Sequence, residues 1–477
     1  MSILENALKF YIDGRWIDPV SENTSELIDP ATERVYATVA LGNAEDVDKA
    51  VKAARGAFAT YSKTSVEERI ALLEKIAAIF RRREREIAET VTQEMGMTIS
   101  LSTTGLLDWC KAHTEAAIEI LREFKFEEKL GTTTVFKEPI GVAGLITPWN
   151  FPIGTIFTKI LPALATGCTI VLKPSQLTPL DAVILAEILD EAGVPPGVFN
   201  LVNGDGETAG DAMSRHPDID LISFTGSTRA GILISKAAAD TVKRVVTELG
   251  GKSAIIVLDD ADYKSAVENA VANCFFINGQ ACDAGTRLLV PRDRLEETIE
   301  LAAAAAVGNV SGPPSDPATT LGPVMNSNQF NNIQGLIQSG IDEGARLVTG
   351  GTGRPEGIEA GYFVKPTIFA DVKPNMKIFR EEIFGPVLSI TAYEDLDDAI
   401  RLANDTEYGL GAHITGNDMD KVRRLAREVR AGSVYVNSPD LDPRAPFGGY
   451  RQSGNGRENG EHGFNEFLEI KAVVGHG

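Results

Sequence analysis

Residues 142–152 read Val142-Ala143-Gly144-Leu145-Ile146-Thr147-Pro148-Trp149-Asn150-Phe151-Pro152, a short apolar run that stops in a polar turn. A run of this length between turn residues is that of a buried strand. The unit recurs at 169–172, 199–202 and 221–224, with helical patterns near 155–165, 178–192, 207–214 and 229–239 between the strands. Short apolar strands alternating with helices predict an α/β fold built on a parallel sheet. Ligands of such sheets bind just past the carboxyl ends of the strands. Segments 147–152, 173–176, 203–206 and 225–228 are therefore where chemistry is expected.

A second alternation fills 251–440, with strands at 253–258, 286–290, 389–393 and 432–436 and helices at 262–278, 302–307 and 329–343. Upstream, Asp13-Gly14 between 10–12 and 15–16 predicts a hairpin. Long helices are predicted at 44–59, 66–94 and 100–125, the second opening on Ser65 with Glu68 three residues on, a capping box. Arg81-Arg82-Arg83 reads as a solvated face. Two β-prone segments, 132–137 and 467–474, are expected to pair as an arm that adds to another subunit's sheet.

The chain has 477 residues, too many for one hydrophobic core, so two or three domains are expected. Its 46 basic and 67 acidic side chains give a net charge of −21, which argues against nucleic acid or an anionic membrane as partner. Four scattered cysteines (110, 168, 274 and 282) form neither a CxxC pair nor a zinc ladder, and fit a reducing cytoplasm. No signal peptide or membrane span is read, and the five dispersed histidines give no metal site.

Three small-residue turns carry candidate chemistry. Cys282 lies among Gly279, Ala281, Ala284 and Gly285, which would let a ligand approach a thiol. Glu248 precedes Leu249, Gly250 and Gly251, and Asn150 ends the first strand's turn. A thiol, a carboxylate and a carboxamide supply a nucleophile, a base and an oxyanion donor, the outline of an acyl-transfer site. Gly226-Ser227-Thr228-Arg229-Ala230-Gly231 keeps the first and third glycines of a dinucleotide turn, and Gly204-Asp205-Gly206 is a second imperfect candidate. Lys173, at a strand end, can donate to ribose hydroxyls. In 381–387, Glu382 and Phe384 place a carboxylate and a ring in one turn, suited to a flat ligand.

These segments, with 446–449, resemble the aldehyde dehydrogenase superfamily in order and spacing, across nearly the whole chain. The resemblance implies NAD(P)-dependent oxidation of an aldehyde to a carboxylic acid, and a three-part α/β fold. Its parts are a Rossmann-like cofactor domain (1–125 and 139–248), an α/β catalytic domain (249–455) and a small β bridging and oligomerisation arm (126–138 with 456–477). It implies Cys282 as nucleophile, Asn150 as oxyanion donor, Glu248 as the base that activates water, and Lys159 as a lysine near the thiol. Cofactor contacts are implied at Ile146, Thr147, Pro148, Trp149, Lys173, Ser175, Gln176, Gly206 and Gly210. Others are implied at Phe224, Gly226, Ser227, Leu249, Gly250, Glu382 and Phe384.

Thr155, Thr158, Phe276, Leu441 and Phe447 correspond to substrate-tunnel positions. A homodimer or homotetramer acting on a small-molecule aldehyde is implied. The chain departs from the family's pattern at Gln176, where NAD-preferring members usually carry Glu, which leaves NADP open beside NAD. It departs again in 438–444, unusually polar for a tunnel mouth. A CoA-acylating semialdehyde dehydrogenase and a non-catalytic relative are the alternatives. Glu248 argues against the first, and the presence of Cys282, Asn150 and Glu248 together against the second.

Overall fold

A computed structural model describes residues 3–476 and is built on two large, mostly parallel sheets. In the first, the four expected strands appear as Val142–Ile146, Thr169–Lys173, Phe199–Leu201 and Leu221–Thr225. The spatial order places Val142–Ile146 between Leu221–Thr225 and Thr169–Lys173, all parallel. Every residue of Val142–Ile146 and Thr169–Lys173 is buried, as expected where helices cover both faces. The hairpin Phe10–Ile12 with Arg15–Ile17 caps one edge, with Asp13 and Gly14 both at positive φ (53° and 74°), as a tight primed turn requires.

The other edge holds a strand not read from the sequence, Arg244–Glu248, parallel to Leu221–Thr225. Its outer side is closed by Gly454–Asn455, with Glu248 opposite Gly454. The second sheet runs Arg346–Thr349, Thr367–Ala370, Val387–Tyr393, Gly285–Pro291, Ser253–Val257, Gly411–Thr415 and Ser433–Val436. Gly411–Thr415 escaped notice because its Gly-Ala-His start carries little β-forming character. The two β-prone segments do pair, Thr133–Pro139 antiparallel to Leu468–Val474, and Glu127–Leu130 adds a third strand.

Three helices differ from expectation. The 66–94 helix is two, Val66–Arg82 and Glu84–Met95, broken where Arg83 leaves helical geometry (φ −103°, ψ 9°). Arg83 is not on a solvated face: its side chain is 19% exposed and binds both Glu86 and Glu187 at 2.7 Å. The 100–125 helix begins as a wider π-type turn, Leu101–Leu106, where the Thr103 and Thr104 hydroxyls donate back to the carbonyls of Ile99 and Ser100. The 262–278 helix is Tyr263–Phe275, stopped by left-handed residues beyond Phe276. The Ser65 capping box forms as read.

Glu94 acts as a remote cap. Its carboxylate accepts the backbone N–H groups of Leu180 (2.9 Å) and Asp181 (3.3 Å) at the start of the helix Leu180–Ala192, whose Pro179 offers no side-chain cap. The buried Asp181 carboxyl stands beside it, and burial pushes both acids up, Asp181 to about 7.

Candidate active site

Cys282 is delivered by backbone rather than by a helix. Ile277, Asn278 and Gly279 all take left-handed dihedrals (φ 50°, 58° and 73°), which for the first two costs about 1–3 kcal/mol each. Three contacts hold this turn. Asn278 donates its amide to the Pro323 carbonyl (3.0 Å), and the Gln280 side-chain oxygen accepts from the Met325 N–H (2.9 Å). Gly279 abuts Gly385, where an added Cβ would lie 2.1 Å from a backbone carbon. The turn leaves Cys282 partly open, while Cys110, Cys168 and Cys274 are buried.

Asn150 reaches the same turn, its carboxamide donating to the Gln280 carbonyl at 2.8 Å. That bond uses one of two amide hydrogens and leaves the other for a ligand. Gly251 packs so close to the Cys282 carbonyl that a Cβ there would meet it at 2.4 Å, so the Glu248 turn and the thiol turn are in contact.

Glu248 ends its strand fully buried, and neither carboxylate oxygen has a hydrogen-bond partner. Gly448 faces it without a side chain: a Cβ there would fall 2.5 Å from Oε1. Lys159 and Glu458 form a buried ion pair nearby, and Lys159 also donates to the Ser223 hydroxyl (3.0 Å). Burial and the Glu458 charge push the Glu248 carboxyl well above the usual range, against the opposing pull of Lys159 and Arg457. The Cys282 thiol is pushed up too, by burial first and then by Asp283, Glu382, Glu248 and Glu458. Burial and these acidic neighbours hold the thiol protonated until a base takes its proton.

The strand ends form a second group of sites. Lys173 is buried and its ammonium donates to the carbonyls of Pro174 (2.9 Å) and Gly204 (3.1 Å), leaving one hydrogen uncommitted. Burial lowers it to about 8. Ser175 and Gln176 are half-buried just beyond. Gly206 opens a short π-type turn that ends at Gly210, beside the Lys173 side chain. Ser227 caps the helix Thr228–Ala238, and Gly226 lies against the Phe224 ring, so close that a Cβ would sit 2.5 Å from it. Ile146, Thr147, Pro148 and Trp149 line the exit of the central strand, and Leu249 follows Glu248.

Gly250 leaves room for Glu382, whose carboxylate accepts the Gly251 N–H at 3.0 Å; a Cβ on Gly250 would be 2.2 Å from it. Phe384, at φ 56°, stands edge-on to Trp149 with ring centroids 5.4 Å apart. Buried polar atoms of Thr147, Thr225 and Asn203 at these strand ends have no protein partner. Glycines that leave space, unpaired donors and acceptors, and a buried lysine are the features a dinucleotide needs.

The expected substrate positions divide. Thr155 and Thr158 lie on the helix Pro152–Thr166, each hydroxyl bonded to a backbone carbonyl one turn back. Phe447 is half-buried and exchanges backbone hydrogen bonds with Glu458 (2.9 and 2.7 Å). Phe276 and Leu441 are exposed, at 44% and 64%. The polar 438–444 segment faces solvent except at Pro443, and Asp442 there binds Arg444. Among the described residues, no three metal-ligating side chains gather and no helix is long and apolar enough to cross a membrane.

Sequence reasoning missed Glu458, Gln280, Gly448 and Asp283. Glu458 lies in Gly456-Arg457-Glu458-Asn459-Gly460, and a charged residue between glycines was the available signal. Gln280 and Asp283 flank Cys282 by two residues and one, and a polar residue beside a candidate thiol was the signal there.

Known proteins similar to this chain are aldehyde dehydrogenases. The family model described as "Aldehyde dehydrogenase family" matches residues 16–473. A 3-succinoylsemialdehyde-pyridine dehydrogenase from a Pseudomonas species is 50% identical over 469 residues, 98% of each chain. The crystal structure of a Cys-to-Ala mutant of aldehyde dehydrogenase C from Pseudomonas syringae, complexed with NAD+ and octanal, superposes with a TM-score of 0.98 at 50% identity, covering 99% of this chain and 98% of that one. Betaine aldehyde dehydrogenase from Staphylococcus aureus, in complex with NAD+, gives a TM-score of 0.95 at 35% identity, over 99% of this chain and 96% of that one. The chain belongs to the aldehyde dehydrogenase family, and is an aldehyde dehydrogenase.

Proposed function

We propose that the protein oxidises an aldehyde to a carboxylic acid through a Cys282 thioester, with NAD as its cofactor. The observation that carries this reading is the convergence of Asn150 and the Glu248–Gly251 turn on the turn that presents Cys282. NAD+ in the similar structures supports the cofactor, as does the fit of the strand-end residues. When bound, the dinucleotide supplies a hydride acceptor; Lys173, Ser227, Glu382 and Phe384 would hold it.

Glu248, with both oxygens unpartnered, takes the Cys282 proton, and the thiolate attacks the aldehyde carbon. The free amide hydrogen of Asn150 and the Cys282 backbone N–H donate to the resulting oxyanion, each such donor lowering the barrier by about 3–4 kcal/mol. Loss of the former aldehyde hydrogen as hydride leaves a thioester on Cys282. Glu248 releases the proton it took from Cys282 to solvent and is ionised again. It then draws a proton from water, and the hydroxide adds to the thioester carbon. The Cys282 thiolate leaves, regaining that proton from Glu248, as the acid is released. Lys159 and Glu458 set the charge that Glu248 feels during both proton transfers.

Residues 1–125 with 139–248 would then bind cofactor, 249–455 carry the thiol, and the arm of 126–138 with 456–477 meet a second copy in a dimer or tetramer. Exposed Ile470 and Val474 on the outer strand support such an arm. The test is reduced-nicotinamide formation from octanal with NAD and with NADP, with and without CoA. Wild type should turn over without CoA, and Cys282→Ala should bind NAD but give no product. A strict need for CoA would establish the acylating reaction instead.

A further inference from the structure

A small cavity lies at the amino-terminal end of the second sheet, where Lys252, Arg287, Leu410 and Ala431 meet. Lys252 and Ala254, two residues apart at the start of the strand Ser253–Val257, both line it, as alternate residues on one face of a sheet do. It has room for about one water-sized body, and the exposed Arg430 stands at its rim. Among the described residues that line it are three cations, Lys252, Arg287 and Arg430, and no carboxylate.

The two buried cations are held differently. Arg287 donates Nε to the Lys252 carbonyl (2.9 Å) and its terminal nitrogens to the Leu402 and Ala403 carbonyls (2.8 Å each). It therefore caps the helix Leu396–Asn404 and answers the negative end of that helix. Those bonds use three of its five N–H groups and leave two. Lys252 is 1% exposed, and its ammonium nitrogen has no hydrogen-bond partner. A cation so placed is costly to keep charged. Burial, and Arg287 after it, lower the Lys252 ammonium to about 7, while Cys274, Glu382 and Glu381 pull the other way. None of those three lines the cavity or bonds to the ammonium.

We propose that this cavity is a binding site for one monatomic anion of the halide class, chloride foremost, held between the Lys252 ammonium and the spare N–H groups of Arg287. The space excludes phosphate, sulfate and carboxylate ligands by size. Two buried positive groups repel a metal cation, and the neighbouring alanine and leucine side chains offer it no donor atom. Water could accept a hydrogen bond from Lys252, but it would leave two like charges unbalanced; an anion does both. The site stands apart from the aldehyde chemistry, and its inference is independent of that reading. Only the protonated lysine supplies the charge, so above about pH 7 the anion must bring a proton with it and binds more weakly.

The test is thermal melting in sodium chloride and in sodium gluconate at equal ionic strength, gluconate being too large to enter. Lys252→Met keeps the length of the stem and removes the charge. At pH 6.5 the chloride-minus-gluconate difference in melting temperature should be about 2 °C or more higher in wild type than in Lys252→Met. That excess should shrink by pH 9. Wild-type crystals soaked in sodium bromide should show an anomalous peak beside Lys252 Nζ. Equal differences in the two proteins, or an excess that does not fall with pH, would overturn the site. Bromide peaks confined to other places would mean an adventitious ion only, and would overturn it too. Should Lys252→Met fail to fold, the wild-type pH series and the bromide map decide.

Discussion

Lys159 and Glu458 stand 299 residues apart in the chain and meet as an ion pair whose side chains are 1% and 9% exposed. Their opposite charges act on one neighbour: Glu458 raises the Glu248 carboxyl and Lys159 lowers it. Glu458→Gln should therefore let Glu248 ionise at lower pH, because the repelling charge is gone and the attracting one stays. The base works unprotonated, so the rising limb of kcat against pH should move toward acid by about one unit. A limb that stays in place would show that Glu248 does not set it.

Glu248→Gln separates the two half-reactions. With Glu248 serving both the thiol and the water, the variant's burst of reduced nicotinamide should slow and recover as pH rises and the thiol ionises directly, and turnover should then stall at the thioester. A fast burst followed by that stall would confine Glu248 to the hydrolytic water. Rapid-mixing absorbance reads both. A normal burst followed by normal turnover would remove Glu248 from the mechanism.

Gln176 is half-buried just past the strand that ends in Lys173. Gln176→Glu should raise the preference for NAD over NADP about tenfold or more, since a carboxylate accepts from ribose hydroxyls and repels a phosphate dianion. The ratio of kcat/KM for the two cofactors measures it, and an unchanged ratio would place Gln176 away from the adenosine ribose.

The buried Glu94 and Asp181 carboxyls make stability depend on pH. Asp181 is pushed up from 3.8 to about 7, so the folded state keeps a proton that the unfolded chain releases. The stability from that proton is fully present below about pH 4 and is lost as pH rises toward 7. Asp181→Asn lacks this loss. At pH 8 it should melt on the order of 2–4 °C above wild type, with the gap narrowing as pH falls and closing near pH 4. Calorimetry across that range decides it, and equal pH slopes in the two proteins would exclude the pair as the source.

Much of the fold was legible because its strands are short apolar runs ending at turns, as at Ile146 and Thr225. The trio proposed to react stood out for a related reason: Cys282, Glu248 and Asn150 each sit among small residues or a proline turn, and the structure brings those turns together. The partners were not. That Gln280 orients Asn150, and that Glu458 balances Lys159, follows from packing between elements over 100 residues apart. The break at Arg83 was hidden because a helical pattern continues through it; the Arg83 dihedrals mark the bend, and its side chain binds Glu187, more than 100 residues away.

The base-bearing strand borders Leu221–Thr225 on one side and the two residues Gly454–Asn455 on the other. A nascent chain halted at residue 450 would already contain the thiol, the carboxamide and the base. It would still lack the strand that seals the base's edge, and the acid that balances Lys159. Closure of the Glu248 strand thus awaits residues 454 and 455, and the partner of Lys159 awaits residue 458. A copy cut short there would be a folding problem for the cell.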